Sequence, residues 1–125
     1  GHRVDLVAGP ARGLVANFLG LIAQAPGSAR WLALSDQDDV WLPARLSHGI
    51  ETLSTLPEDM PALYCSATVI TDNRLENPRP SPRVPRPPAF RNALVQNIAS
   101  GNTILLNRAA ADLARAAAPA AARVP

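Results

Sequence analysis

Along the chain, short apolar runs alternate with longer segments whose apolar residues recur every three or four positions. "VDLVAG", residues 4–9, is rich in β-formers and closed by Gly9-Pro10, which predicts a strand ending in a turn. From Leu14 to Ala25 the residues Leu14, Val15, Phe18, Leu19, Leu21, Ile22 and Ala25 fall at helical spacing until Pro26-Gly27 stops the pattern, so an amphipathic helix is expected. "RWLALS", residues 30–35, is too short for a helix and reads as a buried strand. Pro43 suits the first turn of a helix that sets Leu46, Ile50 and Leu53 on one face and ends near Pro57. "ALYCSATVITD", residues 62–72, and "NTILLN", residues 102–107, read as further strands. "AFRNALVQNI", residues 89–98, predicts a short helix, and "RAAADLARAAA", residues 108–118, a last one that runs out at Pro119.

One segment fits neither period. "NPRPSPRVPRPP", residues 77–88, lacks the amide donors for a central strand and the φ freedom for a helix, so an extended, mobile loop is expected. Strands alternating with helices predict an α/β arrangement with a mostly parallel sheet, because each helix then serves as a crossover. In such sheets ligands sit beyond the carboxyl ends of the strands.

Composition narrows the classes. The 125 residues amount to one domain or less, with 47% hydrophobic and 18% charged residues, and no apolar run nears the roughly 20 residues of a membrane span. All 12 basic residues are Arg, spread along the chain, and aromatics make up 4%, so there is neither a basic face nor a stacking platform for nucleic acid. The Arg, Ala and Pro excess reads as coding bias. Cys65, the one cysteine, has no internal partner and sits in an apolar run, which suits a small core residue in a reducing compartment. Gly1-His2 has the look of a vector remnant.

The candidate chemistry lies in "LALSDQDDVWL", residues 32–42. Asp36, Asp38 and Asp39 follow the carboxyl end of a predicted strand, and each close pair of carboxylates costs on the order of 1 kcal/mol or more at low effective dielectric unless something offsets it. A divalent cation is one such offset. Oxygen ligands favour magnesium, manganese or calcium, while His2 and His48 stand alone and give no zinc spacing. An EF-hand loop is disfavoured, because Val40-Trp41-Leu42-Pro43 follows at once where further ligands and a Gly are needed. The incomplete cage suits a metal shared with a diphosphate. The competing reading is an acidic first turn, with Asp38 or Asp39 as N-cap of the next helix.

"ALSDQDDVWLPARL" resembles the segment carrying the Asp-x-Asp motif of family 2 glycosyltransferases, in particular their bacterial rhamnosyltransferase-like branch. "GLVANFLGLIAQA", "YCSATVITD" and "NIASGNTILLNRAA" resemble that branch's flanking segments in the same order, covering nearly the whole chain. The resemblance implies a partial GT-A-type, Rossmann-like fold across 1–125 with a mostly parallel central sheet. It also implies an inverting, metal-dependent transferase that uses manganese or magnesium to move a sugar such as rhamnose from a nucleotide-diphosphate donor to a saccharide or lipid-linked acceptor in surface polysaccharide synthesis. The location it implies is the cytoplasm or the inner face of the membrane.

By position, Asp36 resembles the residue on the nucleoside side of the donor, Asp38 the metal ligand on the diphosphate, and Asp39 a support for sugar or metal. Gly13 and Asn17 match residues near the donor nucleotide, although Ala11 stands where the family commonly has Asn. Ser100, Gly101 and Asn102 match the stretch near donor sugar and acceptor, where Gly lets a backbone approach closely; the plain reading is a strand-entry turn. Trp41 suits the face of a saccharide ring or packing on the next helix. Arg79, Arg83, Arg86 and Arg91 are placed to reach phosphates or simply to solvate the Pro-rich loop.

The family's base-binding strand and turn ahead of these segments, and its catalytic carboxylate after them, have no match here. The chain is therefore expected to be an internal fragment, inactive by itself, whose open sheet edge favours self-association. The alternative is a non-catalytic nucleotide- or metal-binding module that docks a partner.

Overall fold

The computed structural model describes residues 2–82 and 89–121. Helix α1, Leu14–Gln24, forms where the periodicity predicts it, starting after Gly13, whose φ of 90° is readily adopted only by glycine. Strand β1, Trp31–Ala33, leads into the acidic loop, and helix α2, Arg45–Leu53, leaves it. Pro43 lies in the turn just ahead of α2 rather than inside its first turn.

The predicted strand over 62–72 divides into β2, Leu63–Tyr64, and β3, Val69–Ile70. Strand β3 pairs with β4, Arg79–Pro80, as a small antiparallel ladder, so part of the expected Pro-rich loop is strand and residues 83–88 lie outside the described region. A proline is tolerated there because a two-stranded ladder consists only of edges. Helix α3 is a single turn, Phe90–Ala93, shorter than predicted. A 3-10 turn, Gly101–Thr103, takes the first part of the predicted last strand and leaves β5 at Leu105–Asn107. Helix α4, Arg108–Ala121, continues through Pro119.

The sheet order is β1-β5-β2, and β5 is antiparallel to both neighbours. A mostly parallel sheet is thus corrected: no two hydrogen-bonded strands run parallel among the described residues. The reason is topological. Because β5 is antiparallel to each, β1 and β2 share one direction, as the α2 crossover between them requires. The chain then re-enters the sheet at the end where β2 left it, so β5 must run back between them. Among the described residues no strand borders the outer edges of β1 and β2.

The predicted strand at residues 4–9 is absent as well. That segment has no ladder partner among the described residues, and Leu6 is 98% exposed. A β-prone run without a neighbour leaves its backbone groups to water, and nothing fixes it as strand.

Leu105 and Leu106 of β5 form the middle of the core, with Ile22, Leu53, Ala111 and Ala118 packed around them. Helix α2 lies close on the sheet at Gly49, where a Cβ would stand 2.8 Å from Leu105 Cδ2 and 3.0 Å from Tyr64 Cδ1. Helices α1 and α4 pack together, and Arg115 fastens them by donating from Nε to Ile22 O (3.1 Å) and from Nη2 to Ala25 O (3.2 Å). These are carbonyls at or just past the end of α1, which lack partners within the helix and attract a cation. Cys65 is half-buried with Sγ 3.9 Å from Ile98 O, in keeping with a packing role.

Candidate functional site

The acidic loop, residues 35–44, leaves the carboxyl end of β1, and β5 enters the sheet at that same end through the 3-10 turn. Two segments far apart in sequence therefore meet. Asn102 Nδ2 donates to Asp39 Oδ2 at 2.5 Å, and Ser100 Oγ donates to Asn102 Oδ1 at 2.5 Å. A carboxylate, an amide and a hydroxyl form one chain of hydrogen bonds, which orients the Asn102 amide and holds Asp39 toward the turn.

Asp36 is half-buried and Asp38 exposed, and neither carboxylate has a hydrogen bond or ion pair among the described residues. Asp38 lies in the turn at Gln37-Asp38, and α2 begins after Ala44 with no side-chain cap. The N-cap reading of Asp38 or Asp39 is thereby set aside.

No three His, Cys, Asp or Glu side chains among the described residues gather into a metal-sized group. A protein-only metal cage from Asp36, Asp38 and Asp39 does not fit, because Asp39 is turned to Asn102. Asp36 and Asp38 are the carboxylates of the loop left without a partner among the described residues.

Trp41 packs on the protein rather than standing free: the Arg45 guanidinium carbon lies 3.7 Å from its ring centroid. Arg45 Nη2 also donates to Leu34 O at 3.2 Å and to Asn102 O. Burial pushes the Arg45 guanidinium below its ordinary range, and the charges of Asp39 and Tyr64 act in the opposite sense. Trp41 Nε1 and Arg45 Nη1 are buried without a hydrogen-bond partner among the described residues.

Of the sequence-predicted residues, Asp36, Asp38, Asp39, Trp41, Ser100, Gly101 and Asn102 thus share one end of the sheet. Gly13 and Asn17 do not join them. Gly13 starts α1, and Asn17 lines a shallow groove of about 190 Å³ between α1 and the 7–10 segment. Arg79 is in β4, Arg91 in α3 is exposed, and Arg83 and Arg86 lie outside the described residues.

A larger groove, about 310 Å³, is at the opposite end of the sheet, lined by Arg30, Trp31, Leu53, Asn107, Arg108 and Asp112 among others. Chemistry and volume therefore disagree, and the acidic end is the better candidate because two segments far apart in sequence meet there through the Asn102–Asp39 hydrogen bond, beside two carboxylates without partners among the described residues. In the groove Arg30 pairs with Glu58, and Arg108 with Asp112 at 3.8 Å.

Sequence reasoning missed two residues. Arg45 is a cation at a helix start, where acids are favoured, and that inversion is a readable signal. Asn107 stands directly before an Ala-rich helix, a ready N-cap: its Oδ1 accepts from Ala110 N (2.9 Å) and Ala62 N (3.0 Å), and its Nδ2 donates to Met60 O (2.7 Å).

No family model, curated protein or solved structure matches this chain.

Proposed function

We propose that this chain carries the donor-diphosphate part of a glycosyltransferase site of the family 2, rhamnosyltransferase-like kind. The observation that carries the reading is the Asn102–Asp39 hydrogen bond, which joins the two segments on which the sequence resemblance rests, 63 positions apart. In this reading Asp38 ligates a manganese or magnesium ion together with diphosphate oxygens. Asp36 faces the nucleoside side, and Asp39, oriented by Asn102, faces the sugar. The cation offsets negative charge on the departing diphosphate. The free carboxylates of Asp36 and Asp38 support this assignment, since repulsion between them is relieved only when a cation arrives.

Manganese binding measured by electron paramagnetic resonance, with and without deoxythymidine diphosphate, tests it. The diphosphate is expected to tighten manganese binding, and Asp38→Ala to abolish that enhancement while changing folding stability by less than about 0.5 kcal/mol, as befits an exposed side chain. Manganese binding that is absent, or indifferent to diphosphate, overturns the reading and favours a module of another kind.

A further inference from the structure

We infer that Arg45 is a positioning residue that closes the acidic loop and locks it to the Ser100–Asn102 turn. The inference rests on the donor-site reading only for what the loop binds; the lock itself stands on geometry.

Arg45 is the first residue of α2, and its cation sits at the positive end of the helix dipole, partly withdrawn from water. Both features disfavour a cation, so contacts specific to the folded state must offset them. Three kinds are present. Nη2 reaches Leu34 O, the last carbonyl before the loop, so that Arg45 joins the residue preceding the loop to the residue following it. The same nitrogen reaches Asn102 O, whose side chain holds Asp39. The guanidinium carbon lies over the indole of Trp41, a residue of the loop itself. One group thus joins the residue before the loop, Trp41 within it and the turn opposite.

Lysine cannot replace it. An ammonium is a compact point charge, whereas this arrangement uses a flat group that stacks on a ring through its face while donating through its edge. Met, of similar length, keeps apolar packing on Trp41 and loses every donor. A residue needed only to fill space would tolerate either change.

The test uses Arg45→Lys and Arg45→Met in the chain, read by proton–nitrogen correlation spectra and by manganese titration with deoxythymidine diphosphate. The two indoles, Trp31 and Trp41, serve as internal control and reporter. In both variants the Trp41 indole signal is expected to move and the Asn102 side-chain amide to exchange faster, while the Trp31 signal and helical circular dichroism stay unchanged. Manganese affinity in the presence of diphosphate is expected to fall about tenfold with all three aspartates intact, as for loss of an outer-shell partner.

If Trp41 and Asn102 are unmoved in Arg45→Lys, the lock is refuted whatever the manganese result. If they move but the unaltered chain binds no manganese with diphosphate, the lock stands and the donor-site reading falls. Should the variants fail to fold, the unaltered chain still decides: Overhauser contacts between the Arg45 guanidinium protons and the Trp41 ring support the lock, and their absence overturns it.

Discussion

At one end of the β1-β5-β2 sheet, two carboxylates lack partners among the described residues while the nearby cation, Arg45, is occupied with backbone carbonyls and an indole. At the other end, a groove of about 310 Å³ holds two ion pairs, Arg30 with Glu58 and Arg108 with Asp112 one turn along α4, so that among the described residues only Asp59 of its charged lining stays unpaired. The comparison separates volume from reactivity. Where opposite charges balance, the protein satisfies itself and the groove is a structural seam. Where carboxylates stay unbalanced beside an ordered amide, their mutual repulsion is left without an offset from the described residues.

The strongest way to break this contrast is to remove the seam's central side chain. Asn107 is 5% exposed and makes three hydrogen bonds, so Asn107→Ala is expected to cost about 3 kcal/mol in urea unfolding at roughly 1 kcal/mol per bond. A loss below about 1 kcal/mol would mean that the groove end is not structural. Manganese binding by whatever remains folded should be unaffected, because the acidic loop lies at the far end.

A second substitution sharpens the comparison from the middle. Gly49→Val places a branched side chain where even a Cβ stands 2.8 Å from a core leucine atom, and overpacking of this kind is expected to cost about 2 kcal/mol by thermal or urea unfolding. Any gain in helix propensity over glycine, about half a kcal/mol, is too small to offset it. Both ends should weaken together, since α2 starts at one and finishes near the other.

The smallest effect belongs to neither end. Asp72 accepts from Arg74 N (3.0 Å), Glu76 N (2.9 Å) and Asn77 Nδ2 (2.8 Å), with the Glu76 amide the largest influence holding its carboxyl below the usual range. A carboxyl depressed in the folded state contributes stability that is complete above its unfolded value and fades as pH falls through the folded one. Carbon-detected titration of the carboxyl group should show Asp72 titrating below the ordinary aspartate range, with the 72–77 turn loosening on acidification while the sheet's two ends keep their spectra. A normal titration for Asp72 would contradict the hydrogen bonds described.

Much of this was legible in the chain. Helices α1 and α2 follow from spacing alone, and β1 from an apolar run with an acidic stop. The acidic loop and the Ser100–Asn102 turn were readable as candidates, but only folding shows that Asn102 selects Asp39 among three aspartates. Strand direction was not legible, because it depends on which end of the sheet the connection from β2 to β5 returns to. The 4–9 segment has the composition of a strand, yet pairing needs a neighbour that composition does not specify. Pro119 was read as a stop, yet α4 continues two residues past it, although a proline outside the first turn forfeits a hydrogen bond and crowds the carbonyl four residues back; nothing in the structure explains the continuation.

The guanidinium of Arg115 that closes α1 also fixes an order of events during synthesis. It lies 93 positions after the Ile22 carbonyl it caps, and β5, the one strand bonded to β1 among the described residues, also follows late in the chain. As the chain leaves the ribosome, α1 and β1 emerge early and wait, with apolar faces uncovered, until nearly all the residues between have followed. The sheet and the α1–α4 pair therefore close only after the residues that separate their partners have been made.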